Sequence, residues 1–292
     1  MPQPALILHG GAGARRGTDY GREAVHMREV VTAMAGRLHE GASALDVAVE
    51  AVVLLEDSGL YVAGRGGSPN LAGDYELDAS LMDGTDRSAG AVAALKGFRN
   101  PIKVARAVME RTPHVLLAGD GAALFAAEQG LERIEHPEAW FTRAGQSDDN
   151  HPPKGRLAHG TVGCCVLDDQ GRIAAATSTA GVFGKMPGRV GDTPIPAAGT
   201  WADGRVAVSS TGTGEYFLRA AAAVQVAWRT AGGQSLADAA QATIDDIGSL
   251  GGDGGLIALD RDGNLADPFN SEGMKRAWLR PSGEIGVEVF GR

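Results

Sequence analysis

Residues 143–168, RAGQSDDNHPPKGRLAHG followed by TVGCCVLD, decide how the rest of the chain is read. Up to Gly160 the stretch is polar, contains Pro152 and Pro153, and offers little to a core. Residues of about 143–160 therefore read as an exposed linker. From Thr161 the pattern inverts. TVGCCVLD and, beyond an Asp169-Gln170-Gly171 turn, IAAATST (173–179) read as two strands of a hairpin. Two readings of Thr161 are open. It is a β-branched residue opening a strand, or it follows a bond that is cut. In the second case its freed α-amine, titrating at about 7.7–8.0, shares one residue with the hydroxyl it activates.

Outward toward the N-terminus, ALILHGG (5–11) reads as a buried strand leaving through glycines. Val25, Val30, Val31, Met34 and Leu38 recur at three-to-four spacing, which predicts an amphipathic helix over 21–38, stopped by Gly41. Ser43 with Asp46 reads as a capping box opening a helix through Leu55. A glycine-rich loop (63–74), a strand-like run YELDASLMDG (75–84) and helices over 101–110 and 121–129 follow. Beyond the hairpin come a loop over 184–199, the strand RVAVSS (205–210), the turn Thr211–Gly214 and one long helix from Glu215 to Trp228. Its apolar part, 220–228, suits an interface or the core equally. A helix over 236–247 and a second hairpin turning at Asp262-Gly263 complete the chain. Strand-helix-strand halves on each side of the linker imply α/β or α+β layering with antiparallel pairs.

The 292 residues are 43% hydrophobic and 22% charged, enough for a sizeable core. Glycine accounts for 43 positions with no collagen-like period, so it serves turns and close approaches. A net charge of −9 argues against nucleic acid or an anionic membrane as partner. No run reaches the roughly 20 apolar residues of a membrane span, and MPQPALILHGGAG does not read as a signal peptide. Cys164 and Cys165 are adjacent, point to opposite strand faces and imply a reducing, cytoplasmic setting. The histidines lack zinc spacing, so no catalytic metal is expected.

Several residues carry chemistry. Arg189 and Asp192 lie three apart in a glycine-bounded loop, and an arginine with an aspartate complements an α-amino acid's carboxylate and ammonium. A solvated ion pair is the other reading. Thr211-Gly212-Thr213-Gly214 joins a strand to a helix and reads as an anion nest. No nucleotide-binding glycine motif accompanies it. His9 lacks a partner that would make it a base and reads as structural.

LILHGGAG, DASLMDG, RNPIKVARAVMERTPHVLLAGDGA, HGTVGCCVLD, PGRVGD within 177–199, SSTGTGE and GGLIALDRDGNLADPFNSEGMKRAW resemble, in order, the plant-type asparaginase and isoaspartyl peptidase family of N-terminal-nucleophile hydrolases. The resemblance spans nearly the whole chain. It implies an α+β fold, a four-layer αββα sandwich, made as a single domain over 1–292. Autocleavage at Gly160–Thr161 would divide that domain into 1–160 and 161–292. It implies Thr161 as nucleophile, Thr179 as the hydroxyl that tunes it, and Thr211 with the Gly212 N–H as oxyanion hole. Arg189, Asp192, Gly212 and Gly214 would bind the substrate head group. L-asparagine and β-aspartyl dipeptides are the implied substrates, and a homodimer of αβ units the implied assembly. A structural sodium is implied on the carbonyls of Leu55, Glu56, Ser58, Tyr61, Ala63 and Arg65. Val62 stands where the family usually has asparagine, and cannot hydrogen-bond there. Two alternatives follow: a non-catalytic binder of acidic amino acids, and a glycosylasparaginase-like amidase. The latter is disfavoured by the missing secretory signal and disulfide framework.

Overall fold

In the computed structural model, which describes residues 2–144 and 160–291, ALILHGGA forms a strand buried at every position, β1 (Ala5–Ala12). A chain buried on both faces lies inside a sheet that is covered on both sides. The amphipathic runs form α1 (Gly21–His39) and α2 (Ala44–Ser58). α2 is capped by Ser43, whose Oγ accepts from Asp46 N–H at 3.1 Å. Next come β2 (Leu77–Asp83), β3 (Ala89–Leu95), α3 (Pro101–Arg111), the short β4 (Leu116–Ala118), α4 (Gly119–Glu128) and the single turn α5 (Pro137–Trp140). The expected hairpin is β5 (Val162–Leu167) and β6 (Ile173–Thr179). β7 (Thr200–Ala202), β8 (Val206–Gly212), α6 (Gly214–Ala220), α7 (Ala222–Ala231), α8 (Leu236–Ser249), β9 (Gly254–Asp260), β10 (Leu265–Ala266), β11 (Met274–Leu279) and β12 (Ile285–Glu288) complete the chain.

The strands form two sheets, ordered β12-β11-β1-β5-β6-β2-β3-β4 and β10-β9-β8-β7. β5 and β6, from beyond the linker, pair with β1 and β2, from before it. Period-two alternation then sorts the apolar side chains. Val162, Cys164 and Val166 join a cluster with Val31 of α1, Val52 of α2 and Val108 of α3. Cys165 and Leu167 face the other way, against Ala207 of β8 and Ile257 and Leu259 of β9. Val208 and Leu256, on the far side of the second sheet, pack on Val226 of α7 and Ile244 of α8. The adjacent cysteines do point apart, and both are buried free thiols.

The long helix expected over 215–228 is two helices. It starts at Gly214 and breaks at Ala221, whose φ of +49° and ψ of +50° are left-handed. Alanine carries no breaker signal; the reversal is set by packing, with the Ala223 and Val224 N–H groups donating to the Ala198 and Ala197 carbonyls. The apolar residues of 220–228 split likewise: Ala222, Ala223, Val226 and Ala227 are buried and Trp228 is exposed. The linker, apart from 143–144 and Gly160, lies outside the described residues. Among the described residues, no helix is long and apolar enough to cross a membrane.

Candidate active site at the Gly160–Thr161 junction

Antiparallel pairing sets Val162 opposite Ser178, so Thr161 and Thr179, one step further, face each other at the end of the hairpin. Thr161 Oγ1 donates to Thr179 Oγ1 at 3.2 Å, and Thr179 Oγ1 donates its own proton to the Gly160 carbonyl at 2.7 Å. Gly181 N–H also donates to Thr179 Oγ1, at 2.9 Å. One hydroxyl therefore touches both sides of the 160–161 bond. It accepts from the attacking oxygen and polarises the carbonyl that oxygen would attack.

The space around the bond is small. A Cβ placed on Gly160 would lie 2.9 Å from Val62 Cβ and Cγ2, and one on Gly11 (φ +98°) would lie 3.2 Å from Gly160 Cα and Thr161 N. Val62 is held there by Ala180 N–H, which donates to its carbonyl at 2.9 Å. Position 62 thus abuts the junction with an apolar side chain.

Next to Gly11, Ala12 N–H donates to Thr211 Oγ1 at 3.1 Å, which ties the end of β8 to the strand backing Thr161. Because the Thr211 oxygen accepts that bond, its proton is left to donate. Gly212 is required by close approach: a Cβ there would come 2.5 Å from the Asp253 carbonyl and 2.6 Å from Phe217. A Cβ on Gly214 would lie 2.7 Å from Asp192 Oδ1 and 3.1 Å from Arg189 Nη2, so these three residues form one cluster. Arg189 Nη1 in turn lies beside Gly181, the residue bonded to Thr179.

The charges differ from the pairing that sequence spacing offers. Arg189 does not spend its fork on Asp192; its Nε and Nη2 make a bidentate contact, both at 2.9 Å, with Glu215. Glu215 went unnoticed in sequence reading, although it ends the SSTGTGE motif. Asp192 is buried, and its Oδ2 has no hydrogen-bond partner among the described residues. Burial pushes its carboxyl up to about 7 against the opposing pull of Arg189. A buried, unpaired carboxylate oxygen is costly unless a cation reaches it.

The six carbonyls expected to hold sodium lie where α2 ends and the chain doubles back through Gly59 (φ +70°) and Gly64 (φ +50°). Three already accept once, Leu55 from Ser58 Oγ–H, Tyr61 from Ala63 N–H and Ala63 from Gly66 N–H, and Arg65 accepts from both the N–H and, at 3.5 Å, the Oγ–H of Thr142. Leu55, Tyr61 and Ala63 each keep a second lone pair, and a set of neutral oxygens fits a hard cation. His9 is fully buried, and burial lowers its imidazole to about 3, which excludes it as a base near neutral pH.

The model of the family described as asparaginase matches residues 2–287. Isoaspartyl peptidases of Salmonella typhimurium and Escherichia coli are 45% and 44% identical, each over 95% of this chain and over 96% and 93% of their own. The isoaspartyl peptidase/L-asparaginase of Homo sapiens is 39% identical over 93% of this chain and 91% of its own. A family match over residues 2–287 and relatives of up to 45% identity over 95% of the chain make this chain a member of the asparaginase and isoaspartyl peptidase family.

Proposed function

We propose that the protein is a threonine amidohydrolase that cleaves itself at Gly160–Thr161 and then hydrolyses β-aspartyl dipeptides and L-asparagine. The observation that carries this is the Thr179 hydroxyl, which accepts from Thr161 Oγ1 while donating to the Gly160 carbonyl. In the precursor, Thr161 Oγ1 attacks the Gly160 carbonyl carbon. The C–N bond breaks, the hydroxyl proton passes to the departing nitrogen, which becomes the Thr161 amine, and an ester joins the two residues. Water hydrolyses the ester, leaving a carboxylate on Gly160 and a free amine on Thr161.

In the mature enzyme the amine takes the Thr161 hydroxyl proton as the oxygen attacks the substrate's side-chain amide. The oxyanion forms against the Thr211 hydroxyl and the Gly212 N–H, each such donor being worth about 3 kcal/mol in comparable hydrolases. The proton passes to the departing nitrogen, which leaves as ammonia or as an amino acid. Water then releases aspartate from the β-aspartyl ester. Arg189 holds the substrate α-carboxylate. Asp192 Oδ2, the buried oxygen without a hydrogen-bond partner among the described residues, receives the α-ammonium beside Gly214.

The αββα sandwich of N-terminal-nucleophile hydrolases belongs to the same reading. Its support is the succession of apolar clusters: helices on the large sheet, sheet on sheet, helices on the small sheet. One domain over 1–292 is supported by β1 pairing with β5 across the cleavage point. A cytoplasmic homodimer completes it, and should sediment near 60 kDa. Sodium on the loop carbonyls of 55–65 would brace the segment that presents Val62. Replacing sodium by choline at equal ionic strength should then lower Tm; an unchanged Tm argues against the ion.

Purified protein should convert from 30.0 kDa to fragments of about 16 and 14 kDa, the smaller beginning at Thr161. It should then hydrolyse β-aspartyl-leucine and L-asparagine. Thr161→Ala should lose both cleavage and turnover. A persistent uncut band that binds aspartate without hydrolysing either substrate would favour the non-catalytic binder, and turnover by Thr161→Ala would refute the nucleophile.

A further inference from the structure

β1 pairs with β5 in register only as far as His9 opposite Gly163. There the main chain leaves through Gly10 and Gly11, where the register against β11 also shifts. Two residues further along β5's strand line, the Thr161 carbonyl accepts from the His9 ring, at 3.1 Å from Nδ1. A carbonyl cannot donate, so Nδ1 carries the proton and Nε2 of the neutral ring must accept. Ser209 Oγ lies 2.9 Å from Nε2 and therefore donates to it.

That assignment orders every hydroxyl behind it, since each has one proton. Thr177 donates to Ser209 at 2.8 Å, and Thr200 to Thr177 at 2.6 Å. Ser80 donates to Thr200 at 2.7 Å, sharing its proton with the Thr193 carbonyl at 2.6 Å. All five side chains are buried, and they come from β1, β8, β6, β7 and β2. Gly163 leaves the space: a Cβ there would overlap Ser209 Oγ and lie 2.6 Å from His9 Nε2.

We infer that His9 is a positioning residue for the nucleophile: a buried relay of hydroxyls locks its Nδ1–H tautomer, and that N–H pins the Thr161 carbonyl. The inference rests on the proposed role of Thr161. Once the 160–161 bond is cut, Thr161 has no upstream tether, and rotation about its Cα–C bond would swing the amine and hydroxyl together. Holding the carbonyl fixes that rotation. The burial that keeps the ring neutral also keeps the relay in one protonation state across the working pH.

The test separates the two ring nitrogens by substitution. Asparagine places an amide N–H near Nδ1, whereas glutamine reaches toward Nε2 and Ser209. His9→Asn should keep kcat, per cleaved chain, within about three-fold of wild type. His9→Gln should lose about 10–100-fold in kcat with KM unchanged, the scale of a misaimed reacting group. A merely structural histidine would lower Tm and folded yield in both variants without dividing them in kcat. In wild type, 15N-resolved histidine NMR should show a neutral Nδ1–H tautomer that does not titrate between pH 5 and 9, a readout that needs no variant to fold. Wild-type kcat in His9→Gln, equal impairment in both variants, or an Nε2–H tautomer overturns the inference. Wild type that neither cleaves itself nor hydrolyses substrate overturns the proposed function instead.

Discussion

Asp192→Asn should make the protein more stable and a poorer enzyme, both through the same buried oxygen. Oδ2 of Asp192 has no hydrogen-bond partner among the described residues, and burial lifts the carboxyl from 3.8 to about 7. At pH 8 the folded protein carries this carboxylate charged, at a cost of at most roughly 4 kcal/mol, at 1.36 kcal/mol per pK unit. The sign follows from linkage. A carboxyl with a raised folded pKa contributes its stability below pH 4 and loses it as pH climbs to about 7. The amide variant would escape that loss, so its Tm advantage over wild type should grow between pH 4 and 8 and vanish at pH 4.

Substrate binding reverses the balance. An ammonium reaching Oδ2 makes a charge-assisted hydrogen bond worth about 1.5–3 kcal/mol, so KM for L-asparagine should rise roughly 10–150-fold in the variant. Wild-type KM should also rise as pH falls below about 7, where Asp192 becomes neutral, while the variant's KM stays flat. Thermal melts and initial rates across pH 4–9 test both halves. An unchanged KM, or a stability gain that ignores pH, would refute the role of this oxygen.

Gly160→Ala should slow self-cleavage about 5–30-fold, because the added methyl meets Val62 at 2.9 Å and overpacking costs about 1–2 kcal/mol. Adding Val62→Ala should restore the rate; loss of the 30.0 kDa band on gels measures it, and no rescue would disprove the contact. Ala221→Gly should raise Tm by a few degrees with kcat unchanged, since glycine relieves about 1 kcal/mol at φ +49°. A lower Tm would show that the left-handed turn is not strained.

Local features were readable wherever the cause was local. Ser43 and Asp46 announced the start of α2, and the Asp169–Gly171 turn announced the β5–β6 hairpin. The switch from polar to apolar residues at Thr161 marked the start of β5. β11 escaped notice because its place depends on a neighbour distant in the chain: it pairs with β1 from the opposite end. The break at Ala221 escaped for a similar reason, since the Ala197 and Ala198 carbonyls that hold it belong to another loop.

The candidate site divides the same way. Residue types alone left Thr161 and the Arg189–Asp192 pair open between structural and chemical readings, and the expected roles at 161, 179, 189, 192 and 211 came from the resemblance to the family. Spacing could not show that Arg189 takes Glu215 as its partner, nor that Asp192 keeps a bare oxygen. It also could not show that His9 reaches the Thr161 carbonyl from 152 residues away. Residue type and local order determine which reactions and elements are available, because turns, caps and periodicity act over a few residues. Which groups meet, and at what charge, was decided by the packing of two sheets, since hydrogen bonding and desolvation depend on neighbours that the chain supplies only after it folds.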